Sequence, residues 1–89
     1  MEVKFKARFD KDIESIDDRN ILDAIYNAIQ DVENASKPQD IKGIKKMKGD
    51  KTAFRIRIGR YRIGIYIINA VVEFTRVLPR DKIYRYFPS

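Results

Sequence analysis

The sequence predicts an α+β fold in one small domain over residues 1–89: an N-terminal strand, helical segments packed on one face of a mainly antiparallel sheet, and a C-terminal three-stranded meander. Three observations carry this. Apolar residues alternate at the start, where Val3, Phe5, Ala7 and Phe9 are interleaved with Lys4, Lys6 and Arg8. A stripe at helical spacing follows. Residues 53–78 then return to period two around two turn signals.

The opening alternation describes a strand with one buried face and one wet, cationic face. Asp10 is placed to cap a short helical turn carrying Ile13 and Ile16, and a longer helix starts near Asp17 or Asp18. Ile16 and Ile21 are spaced for a hydrophobic staple across that start. Ile21, Leu22, Ala24, Ile25, Ala28, Ile29 and Val32 form one apolar stripe, with Asp23, Asn27, Gln30, Asp31 and Glu33 outside it. The helix therefore packs on the sheet with an acidic back, which repels polyanions. Ser36, Lys37 and Pro38 end it. A loop from Pro38 to Lys51 follows, in which Gly43 and Gly49 bracket Lys45, Lys46 and Lys48 and a short turn tucks in Ile44 and Met47.

The meander turns at Gly59-Arg60 and at Asn69-Ala70. Phe54, Ile56 and Ile58 face the core from its first strand, so Arg55 and Arg57 share the opposite face. In the second strand Ile63, Ile65 and Ile67 point inward, which puts Arg62, Gly64 and Tyr66 on the same outward face. Three guanidinium groups converge by strand geometry alone. The third strand, Val71 to Leu78, is apolar on both alternations, so its phase stays open. A final segment carries Arg80, Tyr84 and Arg85.

Composition narrows the chemistry. The chain has no cysteine and no histidine, which removes disulfides, the usual nitrogen and sulfur metal ligands, and every Ser-His-Asp or Cys-His arrangement. No Walker-type glycine loop or paired-acid motif is present. Neither metal nor cofactor is expected. The start, MEVKFKARFD, supplies no signal-peptide h-region, and the longest apolar-rich stretch, Ile63 to Val72, is too short to span a bilayer. The expected location is the cytoplasm, away from membranes. The formal charge of +6 is segregated: residues 1–41 hold six basic and ten acidic side chains, and residues 42–89 hold thirteen basic and three acidic ones. A positive field confined to the second half points to a polyanionic partner, nucleic acid first.

Arginine, lysine and tyrosine remain for chemistry. That set suits attack of an RNA 2′-hydroxyl on the adjacent phosphodiester, because preorganised guanidinium groups stabilise the negative charge gathering on the phosphoryl oxygens. Without histidine, a tyrosine or a lysine must move the proton, and clustered positive charge lowers the pKa of either. Two blander readings compete: plain anion binding, and exposed strand arginines that merely discourage edge pairing.

Ile44-Lys-Lys-Met-Lys-Gly49, then Phe54-Arg-Ile-Arg-Ile-Gly59, Tyr61-Arg62, Tyr66, and Arg80 followed by Tyr84 together resemble the RelE/ParE superfamily of type II toxins. The resemblance spans nearly the whole chain. It implies a ribosome-dependent endoribonuclease that cuts messenger RNA, with Arg62, Arg80 and Tyr84 as catalytic residues converging on one phosphate-sized space. It also implies substrate binding by Arg55 and Arg57, with Lys45, Lys46 and Lys48 beside them, and a cognate antitoxin that covers the sheet. Many relatives place a histidine where this chain has Pro79, and some use lysines where it has arginines in the first meander strand. The same resemblance leaves two alternatives: a ParE-like inhibitor of DNA gyrase without nuclease activity, and an inactive homologue that only binds.

Overall fold

A computed structural model describes residues 1–88. Its elements are β1 (Glu2–Phe5), α1 (Ala7–Glu14), α2 (Arg19–Asn34), β2 (Ile44–Lys46), β3 (Ala53–Ile58), β4 (Tyr61–Ile68), β5 (Val71–Pro79) and α3 (Arg80–Tyr86). The strands form one sheet in the order β1-β5-β4-β3-β2, antiparallel throughout except for the β1–β5 pair. The α+β class and the meander are as the pattern predicts.

The apolar stripe of α2 supplies Ile21, Ile25, Ala28 and Val32 to the core, and its start is capped as expected: the Asp18 carboxylate accepts from the amides of Asn20 and Ile21. Ile16 and Ile21 are both buried there. These residues, with Phe9 from α1, pack on Ile56, Ile58, Ile63, Ile65, Val72, Phe74 and Val77 of the sheet. The inward phase read for β3 and β4 therefore holds. Asp23, Asp31 and Glu33 are exposed on the far side of α2, as the acidic back requires.

Four expectations need correction. β1 stops at Phe5, and Ala7 and Phe9 belong to α1, because Phe9 and Ile13 also satisfy the i, i+4 spacing of a helix and Phe9 finds Phe74 at 5.4 Å. Asp10 consequently lies inside the first turn of α1, near the positive end of the helix, and Lys6 occupies the cap position. The lysine loop contains a fifth strand: Ile44 pairs with Ile56 and Lys45 with Arg55, which buries Ile44 partly against the core without a separate turn. The last segment forms a helix, α3, on the opposite face of the sheet from α1 and α2, where Ile83 and Phe87 bury against Ala53, Met47, Tyr66 and Leu78.

This second apolar layer explains the open phase of β5. Gly64 pairs with Arg76 but Ile65 pairs with Phe74, so Thr75 is the extra residue of a β-bulge. Val72 and Phe74 face the main core before the bulge and Val77 after it, while Leu78 faces α3. Both alternations are apolar because both faces are covered. The Asn69-Ala70 turn takes positive φ at both central residues, the type I′ form of a two-residue hairpin.

Candidate functional site

The β3–β4 register fixes the site. Arg57 pairs with Arg62 and Arg55 with Gly64, so the three arginines project from the same, outer face as Lys45, which pairs with Arg55. Like charges directly across a ladder destabilise a sheet. Arg62 goes further, since only 6% of it is exposed. Its Nη1 donates at 2.8 Å to the carbonyls of both Gly59 and Tyr61, which tethers the guanidinium to the β3–β4 turn. The ion pairs among the described residues are Lys6–Glu73, Arg60–Asp18 and Arg76–Asp12, and none of them neutralises Arg55, Arg57, Arg62 or Arg80. Burial first, then the positive charge of Arg55, Arg57 and Arg80, pushes the Arg62 guanidinium below its usual range, partly offset by Tyr84.

α3 completes the arrangement. Its amide at Arg80 donates to the Arg60 carbonyl at 2.8 Å, and Phe87 lies over Gly64 and against Tyr66, ring centroids 5.0 Å apart. A Cβ on Gly64 would meet the Phe87 ring at 2.6 Å, so only glycine lets the helix seat. The seated helix closes two neighbouring clefts. The first, about 420 Å³, is lined by Arg57, Gly59, Arg60, Arg62, Pro79, Arg80 and Asp81. The second, about 360 Å³, is lined by Lys45, Lys46, Met47, Lys48, Arg55, Tyr84, Phe87 and Pro88.

Apart from Lys46, the expected site residues are therefore brought to one face but not into one pocket. Arg57, Arg62 and Arg80 share the first cleft; Arg55, Tyr84 and the three lysines line the second. Lys46 pairs with Phe54, so strand alternation directs its side chain to the other face from Lys45; hydrogen bonds from Thr52, and least of all the Lys46 charge, hold the Asp50 carboxyl below its usual range. Sequence reading missed the mount of the site, Gly64 with Ile83 and Phe87. The signal was there: a glycine flanked by isoleucines in the middle of a strand marks a close approach from outside.

A family model described as "ParE toxin of type II toxin-antitoxin system, parDE" matches residues 3–84. The chain is also 40% identical over 89 residues to Toxin RelE3 of Methanocaldococcus jannaschii, covering 99% of this chain and 100% of the relative. This chain belongs to the RelE/ParE toxin family. Among solved structures, this RelE/ParE chain is similar to the RelB-RelE antitoxin-toxin complex from Methanococcus jannaschii, with a TM-score of 0.79 and 37% identity over 94% of this chain and 98% of that one. The same fold appears in the archaeal RelE-RelB complex from Pyrococcus horikoshii, at a TM-score of 0.73 and 19% identity over 91% and 96% of the two chains.

Proposed function

We propose that this RelE/ParE chain is a type II toxin of the RelE kind, which cuts messenger RNA on the ribosome by 2′-hydroxyl attack on the neighbouring phosphate. The observation that carries this reading is Arg62: a buried guanidinium with no carboxylate partner among the described residues, beside Arg57 and Arg80 in a cleft with ample room for a phosphate. A fold does not keep such a group for stability, since an uncompensated buried charge opposes folding. It does so for an anion.

The scissile phosphate sits in the first cleft, between Arg57, Arg62 and Arg80, with the adjoining nucleotide over Arg55 and Tyr84. The 2′-oxygen bonds to phosphorus as the bond to the 5′-oxygen breaks, leaving a 2′,3′-cyclic phosphate and a 5′-hydroxyl. Charge collects on the non-bridging oxygens, where Arg62 and Arg80 oppose it; Arg62 is preorganised by its two carbonyl tethers and needs no reordering. Tyr84, 57% exposed at the mouth of the second cleft, handles the proton. Lys45 and Lys48 hold the flanking backbone. The ribosome presents the message in a geometry that this open face cannot impose alone.

Relatives solved as toxin–antitoxin complexes support a cognate antitoxin here too. Its acidic segment covers the cationic face and so competes with RNA. A cellular test separates the RelE reading from gyrase poisoning, the ParE alternative. After induction of the chain, incorporation of labelled methionine should stop within minutes while thymidine incorporation continues. Arrest of thymidine incorporation first, with protein synthesis intact, would put gyrase in place of the message.

A further inference from the structure

β5 outruns its parallel neighbour. β1 pairs with it only as far as Phe5 opposite Phe74, and Lys6 N donates the next bond, to Phe74 O at 2.9 Å. Past that point one carboxylate takes the place of a strand. Asp12 of α1 accepts from Val77 N at 3.0 Å, from Arg76 Nε at 2.8 Å and from Arg76 Nη2 at 3.2 Å. The two side chains are only 12% and 10% exposed. The bulge at Thr75 resets β5 just before the two residues that Asp12 holds. A face of the same guanidinium lies against Tyr86, with Cζ 5.3 Å from the ring centroid. Asp12 belongs to the helical layer on one face of the sheet and Tyr86 to α3 on the other. Arg76 joins them around the sheet's edge.

α3 has seven residues, too few to hold itself. Its apolar anchors, Ile83 and Phe87, are four residues apart and form one line of contact, about which a short helix can roll. At roughly 100° per residue, Tyr84 and Tyr86 stand roughly 80° to either side of that line. Fixing Tyr86 on one flank fixes Tyr84 on the other.

We infer that Asp12 and Arg76 are positioning residues for the site: clamped by Asp12, Arg76 holds Tyr86, sets the roll of α3, and thereby places Tyr84 over the second cleft and Arg80 over the first. Arginine suits the task because a planar guanidinium offers its edge to a carboxylate and its face to a ring at once; an ammonium does not. The inference rests on the proposed nuclease reading for its catalytic consequence, and on geometry alone for the roll.

The test uses the full chain with Asp12→Asn, Arg76→Lys and Tyr86→Phe, read by amide hydrogen exchange and by single-turnover cleavage on programmed ribosomes. Tyr86→Phe keeps the ring and should match the parent in both. In Asp12→Asn and Arg76→Lys, exchange in α3 should quicken about ten-fold while the central amides of β4 keep their rates. The saturated cleavage rate should fall about 10- to 100-fold, and the half-saturating ribosome concentration should stay within about two-fold. Exchange that rises equally in α3 and β4 would reduce the pair to general stability and overturn the inference. Full cleavage by Arg76→Lys, or a loss confined to binding, would overturn it as well. Should the parent chain cut nothing, the nuclease reading fails, and exchange in α3 against β4 still decides whether the clamp exists.

Discussion

On the proposed reading, Arg62 concentrates the conflict between folding and function in one side chain. Its outward phase follows from the alternation Ile63, Ile65, Ile67, but its burial does not, because the turn carbonyls that draw the guanidinium in are a product of the folded hairpin. Replacing it with methionine removes an uncompensated charge, so Arg62→Met should leave unfolding free energy in urea unchanged or raise it by about 1 kcal/mol. The same change should lower ribosome-dependent cleavage by about 10²- to 10³-fold, the usual consequence of deleting a donor to transition-state charge. A large loss of stability would show that the tether, and not an anion, is the reason for the arginine. The lysine loop offers a second test at this scale. The Asp50 carboxylate accepts from Thr52 Oγ1 at 2.7 Å and from the Thr52 amide at 2.8 Å, and these bonds hold its pKa below the usual 3.8. A carboxyl depressed in the folded state contributes stability that is complete above 3.8 and disappears as pH falls through the lower folded value. The Thr52 amide resonance should therefore titrate with its midpoint below 3.8; a midpoint at or above 3.8 would contradict the turn.

At the scale of elements, strands were legible where one face meets the core and obscure where both faces do. β3 and β4 alternate cleanly against α2, and the Asp18 cap of α2 is written in sequence. β5 could not be phased because a bulge switches its parity and α3 covers its second face, and both are tertiary facts. α3 itself has too little apolar length to announce a helix; its stability comes from the seat that Gly64 leaves for Phe87. Gly64→Ala should therefore unseat α3. We expect a loss of about 1–3 kcal/mol from overpacking, measured by urea unfolding, together with loss of cleavage. Adding Phe87→Leu should recover part of both, because the two sites share one volume. Strict additivity of the two changes would mean that the ring and the glycine are not in contact.

For the whole molecule, the division of charge along the chain becomes a division in space: the acidic residues of α2 lie exposed on one side, and Arg55, Arg57 and Arg62 of β3 and β4 with Lys45 of β2 lie toward the other. Such a field draws a polyanion toward that face before any specific contact forms, and on the proposed reading RNA and an acidic antitoxin segment compete for it. Composition pointed to a polyanionic partner and resemblance supplied the expected roles, but the split of the expected site into two clefts, with Arg62 and Arg80 in one and Tyr84 in the other, is visible only in the fold. That split is also what the central claim must survive. The most direct measurement is primer extension on a defined message in a reconstituted translation system, comparing the chain with its Arg62→Ala and Tyr84→Phe variants. Discrete cuts within codons that require ribosomes, weaken with either substitution and end in a 5′-hydroxyl are the predicted result. A message left intact by the folded chain on programmed ribosomes would contradict it.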